Sequence, residues 1–160
     1  MTEAWLDIVA RLLLSVVVGA VIGLNRDLHH KQAGVRTNAL VSLGAALAVL
    51  VVLPPGLDPT HRIDAMSRVI QGVLTGIGFL GAGVILRDSA SHHVSGLTTA
   101  AAVWLAALLG VACGAGNYFA ALTALVLAIG VVVCGGPLER WFRKPDDRES
   151  KTDSHSDPGQ

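Results

Sequence analysis

Two groups of polar and charged residues ahead of the charged C-terminal stretch have types that suit binding and pairing. Arg26, Asp27, Lys31 and Arg36 share one short polar stretch, and Arg87 closes a later apolar run. Guanidinium and ammonium groups around a carboxylate can hold an acidic surface or a lipid phosphate. Asp27 is the natural anion between Arg26, Arg36 and Arg87, and positive charge is left over for a partner. Arg36 stands at an expected helix start, with Thr37 a fair N-cap. A cation there opposes the helix dipole, so Arg36 is expected to have a specific partner: Asp27, Asp88 or a lipid phosphate. The second group is Asp64, Ser67, Arg68 and Gln71, at helical spacing, with Asp64 and Arg68 at i,i+4. Asp7 and Arg11 repeat that spacing. Polar groups entering a membrane are expensive and often functional.

No nucleophile, base and orienting residue cluster plausibly, so no catalytic residue is assigned and no enzymatic activity is expected. Gly76-Ile-Gly78-Phe-Leu-Gly81 matches the dinucleotide fingerprint only formally: it lies inside an apolar run, and Asp88 follows too soon to be the ribose-binding acid. His29-His30 and His92-His93 lack zinc-ligand spacing, so neither metal nor cofactor is expected. No Asp or Glu lies near the centre of an apolar run, which argues against a direct magnesium pathway. Cys113 and Cys134 fall at opposite ends of their runs, some 30 Å apart across a bilayer, and are read as unpaired, buried small residues. Balanced charge, with 12 Lys+Arg and 12 Asp+Glu, gives no reason to expect nucleic acid as a partner.

The elements that position these residues are apolar runs. Of the 160 residues 52% are hydrophobic and only 15% charged, and mean hydropathy is +0.57. A bilayer span needs about 20 apolar residues. Runs at Ala4–Leu24, Thr37–Leu53, Ala65–Leu86, Leu97–Cys113 and Tyr118–Val133 predict an all-α membrane protein of about five helices. The first run is read as a retained span, since its acidic start does not suit a signal peptide. The third run is rich in glycine: Gly72, Gly76, Gly78, Gly81 and Gly83. Small residues let helices approach closely in lipid, so this run is expected to be the central helix, touched by at least two others. Gly19 and Gly23 form a further packing pair, as do Gly110 and Gly114. Thr98 and Thr99 are expected to cap the fourth helix or to bond backbone nearby. Three divisions follow: a transmembrane domain at 1–136, an interfacial anchor at 137–144 with Trp141 and Phe142 among basic residues, and a disordered cytoplasmic tail at 145–160. Arg26, Lys31, Arg36, Arg87 and the basic C-terminal segment outweigh Arg11, Arg62 and Arg68. The positive-inside rule then places the N-terminus outside and the C-terminus in the cytoplasm.

Several strings in order carry a resemblance: Arg11-Leu-Leu-Leu, Gly19…Gly23, Arg26-Asp27, Lys31…Ala33-Gly-Val-Arg-Thr37, Leu40-Val-Ser-Leu-Gly-Ala-Ala46, Gly76-Ile-Gly-Phe-Leu-Gly-Ala-Gly83 and Gly96-Leu-Thr-Thr-Ala-Ala101. Over about Leu6 to Gly130 the chain resembles the MgtC/SapB family of bacterial inner-membrane proteins. The resemblance implies about five spans in the inner (plasma) membrane. It also implies a link to growth in low magnesium and to survival inside host cells, the virulence-associated side of the family. Family members are thought to contact other membrane proteins, among them ion pumps and the ATP synthase. The chain departs from the family in places. Asn25-Arg26-Asp27 stands where Glu-Arg-Glu is frequent, a charged tail follows Arg143 where some members have a regulatory domain, and Arg68 aligns with the outer family arginine.

The resulting expectation is a non-enzymatic regulator of magnesium-linked ion or energy homeostasis that binds other membrane proteins. The alternative is a small ion transporter or channel, assembled as a homodimer. The functional patch is expected on the cytoplasmic side, at Arg26, Asp27, Lys31, Arg36 and Arg87, with the outer cluster Asp64, Ser67, Arg68 and Gln71 as the second candidate.

Overall fold

Buried backbone N–H and C=O groups must be satisfied within a segment that crosses lipid, and a helix does this by itself. The computed structural model describes residues 2–53, 58–87 and 96–142, in five helices. They are α1 (Thr2–Leu28), α2 (Val35–Val52), α3 (Pro59–Arg87), α4 (Leu97–Gly114) and α5 (Tyr118–Phe142). All five contain a stretch long and apolar enough to cross a membrane. The chain divides into two units, Met1–Ile129 and Gly130–Gln160. In the second unit the described residues 130–142 are helical, and Val131, Val133 and Cys134 are exposed. Cys113, in the first unit, is fully buried; exposure sets Cys134 apart from the buried small residue expected there. The expected tail at 145–160, the side chains of the 137–144 anchor, Asp88 and His92-His93 lie outside the described residues.

Within the first unit α4 is the central helix. It packs against α1, α2 and α3, and 56% of its apolar stretch is buried, against 6% for α3. One core cluster joins Val18 and Ile22 of α1 to Leu109 and Cys113 of α4 and to Ala121 and Leu125 of α5. A second joins Ala45 and Val49 of α2 to Ala107 and Val111 of α4, and Val69, Ile70, Val73 and Ile77 of α3 pack on it. The third helix does touch two others, α2 and α4, as expected, but the central position expected for it belongs to α4, which is a correction. Only the aliphatic side of α3 is engaged.

Glycine decides which helices touch. A Cβ on Gly19 of α1 would lie 2.5 Å from the Asn38 carbonyl oxygen and 2.8 Å from the Ser42 Cβ. One on Gly23 would lie 2.5 Å from the Val35 Cα. From the other side, Gly110 of α4 meets the backbone of Ser42, and a Cβ on Gly114 would lie 2.6 Å from the Ala46 oxygen. The backbone of α2 is thus held between a small-residue face of α1 and one of α4. On α3, by contrast, a Cβ on Gly72, Gly76, Gly78 or Gly83 would meet nothing within 4 Å, and one on Gly81 would make an ordinary 3.5 Å contact with the Ala100 Cβ. Gly96 is at φ +90°, where a side chain is strained, and its missing Cβ also clears the Val84 carbonyl.

Adding a methyl where none fits overpacks a core, at a cost of about 1–3 kcal/mol. Gly19→Ala and Gly110→Ala should each lower stability by that amount in thermal unfolding of the detergent-solubilised protein. Gly76→Ala should leave it at the wild-type value or slightly above, because alanine is the better helix former.

Candidate functional site

The end of α1 carries the first charged cluster, and neighbours in sequence separate there. Successive residues on a helix point about 100° apart. Arg26 turns inwards, and Asp27 turns towards the start of α2. The Arg26 side chain is 4% exposed, and its Nη2 donates to the Thr99 hydroxyl in the first turn of α4. Asp27 reaches α2: its Oδ2 accepts the Val35 backbone N–H at 3.0 Å. Gly34, the N-cap residue of α2, makes no side-chain cap of its own, and any Cβ there would overlap the Asp27 carboxylate. A carboxylate from α1 therefore serves as the cap of α2, in place of the expected Thr37, which is exposed. It also resolves the electrostatic conflict at Arg36: the anion sits on the helix terminus, and Arg36 projects into the open.

The loop between α1 and α2 is tightly wound. Lys31 N–H donates to the Arg26 carbonyl and His30 N–H to the Asp27 carbonyl, each at 3.0 Å. His30 takes φ +51°, the left-handed residue that such a helix end requires. Ala33 also has positive φ, +56°. The Asn38 amide fastens this stretch by donating to the Ala33 and Gly34 carbonyls, at 2.5 and 3.0 Å. Lys31 and Arg36 are exposed on either side. The expected ion cluster of Asp27 with Arg26 and Arg36 does not form: among the described residues the ion pairs are Asp7–Arg11 and Asp58–His61. Arg87 ends α3, and its side chain lies outside the described residues.

At the other end of α1 the expected Asp7–Arg11 pair is present, Nη2 to Oδ2 at 2.7 Å. Arg11 Nη1 also donates to the Gly114 carbonyl at 3.0 Å, where the end of α4 favours a cation. Tyr118 OH donates to Asp7 Oδ1 at 3.2 Å. Gly116, at φ +76°, lets the turn pass over the Arg11 guanidinium.

The second cluster lies on α3. Asp64, Ser67, Arg68 and Gln71 are all exposed. Gln71 Nε2 donates to Ser67 Oγ at 3.2 Å, and Asp64 and Arg68 are not joined to each other. Of the threonines opening α4, Thr98 is exposed and Thr99 is buried against Arg26. The sequence reading missed Asn38 and Ser42 as core residues, although both are fully buried. Their signal was available: two polar residues at i,i+4 in a short apolar span belong on one protein-facing side. Among the described residues no group of His, Cys, Asp or Glu could hold a metal ion.

Removing an N-cap carboxylate costs about 0.5–2 kcal/mol. Asp27→Ala should lower stability in detergent by that amount, and Asp27→Asn should keep much of it because an amide oxygen still caps. Arg36→Ala should change stability by less than about 0.5 kcal/mol, as expected of an exposed side chain.

The sequence has known relatives. A family model described as the MgtC family matches residues 12–141. The chain is 49% identical to protein SrpB of Synechococcus elongatus over 119 residues, 70% of this chain and 65% of that protein. It is 40% identical to protein MgtC of Salmonella typhimurium over 132 residues, 82% of this chain and 52% of that protein. A Haemophilus influenzae protein is 37% identical over 148 residues, 89% of this chain and 61% of its own length. The chain thus spans less than two thirds of these relatives. No solved structure matches it. With the family model matching residues 12–141, which reach into every one of the five helices, the chain belongs to the MgtC family.

Proposed function

We propose that the protein is a non-enzymatic regulator of magnesium-linked ion or energy homeostasis that acts by contacting other membrane proteins through the Arg36 end of the bundle. One observation carries this reading. Asp27 is committed to the α2 terminus, so Lys31 and Arg36 are exposed cations without a carboxylate partner among the described residues. Such a basic edge suits an acidic protein surface beside the membrane, and exposed charges of this kind add more to encounter and selectivity than to stability. Arg26 takes a different role, locking α1 to α4. The basic residues at this end favour a cytoplasmic location for it, with the N-terminus on the opposite side. The magnesium link rests on family membership.

Complementation of a deletion strain in low magnesium tests the reading. Lys31→Glu combined with Arg36→Glu should abolish growth rescue and crosslinking to the partner, with membrane insertion and melting unchanged. The same protein in liposomes should carry no Mg²⁺ flux. Full rescue by the double variant would reduce the basic edge to a topology signal. Saturable flux in the wild type would favour a transporter.

A further inference from the structure

We propose that α3 is a self-association helix that pairs with α3 of a second copy through its exposed glycine and polar face. Two rows of residues, each at i,i+4 spacing, run side by side along this face. One is Asp64, Arg68, Gly72 and Gly76; the other is Ser67, Gln71, Thr75, Phe79 and Gly83. Every one of these is exposed. The opposite side of α3 is engaged by the core: Met66, Val69, Ile70, Val73 and Ile77 pack against α2 and α4. The face is therefore oriented outwards by the fold, within the stretch Thr60–Ile85 that is apolar enough to cross a membrane.

Lipid is a poor neighbour for this face. Gln71 lies near the middle of that stretch. Its Nε2 donates to Ser67 Oγ, which leaves the amide oxygen and a second N–H to be met. In hydrocarbon such groups find partners on another helix. Thr75 is satisfied by the Gln71 carbonyl at 2.8 Å, so the amide is the group in need.

The occupant is a second copy because the face is its own complement. Copies inserted in the same direction relate by a two-fold axis along the membrane normal, which brings equal depths together. Gln71 then faces Gln71, and two amides can exchange N–H···O bonds. Asp64 meets Arg68 of the other copy and Arg68 meets Asp64, which joins charges that have no ion-pair partner among the described residues. Phe79, 81% exposed, supplies a knob beside the empty surfaces of Gly76 and Gly83. Gly72 and Gly76 have the spacing at which two helix backbones approach closely in membranes. This surface is distinct from the Lys31–Arg36 edge and stands independently of the function proposed for it.

The full chain, reconstituted in phosphatidylethanolamine–phosphatidylglycerol vesicles at graded protein-to-lipid ratios, tests the pairing. Single-molecule photobleaching should count a reversible dimer. Gln71→Leu and Gly76→Leu should each weaken it about tenfold or more with melting unchanged, since neither side chain site touches the core. In a Cys134→Ser background, with copper–phenanthroline added as oxidant to native membranes, Gly76→Cys should form disulfide-linked dimers and Leu13→Cys, exposed on α1, should not. Asp64→Arg and Arg68→Asp should each weaken self-pairing, and mixing the two variants should restore it. A wild type that stays monomeric at every density overturns the proposal. So does failure of the mixed pair to recover, or a Gly76→Cys crosslink formed only with a different protein.

Discussion

The fold depends on the close approach of α2 to its two neighbours. Gly19 and Gly23 of α1 and Gly110 and Gly114 of α4 press on α2 from different sides, near enough that a single methyl would collide with its backbone. In a bilayer the hydrophobic effect does not drive helices together, and contact over a wide, flat surface has to replace it. The other arrangements follow. With α2 held at this distance, Asp27 reaches the first N–H of α2, and Asn38 can fasten the preceding loop from within the core. With α4 held likewise, Thr99 comes under the Arg26 guanidinium, and the Gly114 carbonyl comes within reach of Arg11.

Much of this was legible in the sequence, and the errors have a common cause. Run length and polarity located all five helices, because the bilayer fixes how long a span must be, but α3 starts six residues before its apolar run and α5 ends nine residues after its own. The glycine pairs were visible as motifs, but spacing does not reveal which face a helix turns inwards. α3 has the densest glycines and the least burial, whereas α4 is half buried with far fewer. Alanine and small aliphatic residues on several sides of α4, including Ala102, Ala106, Ala107 and Gly110, were the better sign of a central helix.

The charged site shows the same limit at finer scale. Arg26 and Asp27 are adjacent, which suggested a single cluster. One turns to α4 and the other to α2, so adjacency separated them. Arg36 looked anomalous at a helix start only while the capping group was sought nearby in sequence. The cap comes from the preceding helix. The i,i+4 pair Asp7–Arg11 was predictable because both members lie on one helix, and its ties to Gly114 and Tyr118 were not, since they depend on the fold.

The two arginines of α1 have a joint consequence. Arg11 is bound to the end of α4 and Arg26 to its beginning, so both cations are pinned where they stand. At 1.5 Å per residue they lie about 22 Å apart along α1, less than the roughly 30 Å of an average hydrocarbon layer. Pinned side chains have little freedom to stretch towards the headgroups. For a bilayer of average thickness, the expected adjustment is in the lipid, by thinning around this part of the protein or by letting water follow the cations inwards. On this spacing the pair of arginines is expected to act as a short ruler in the bilayer, best matched to thin membrane regions and sensitive to acyl-chain length.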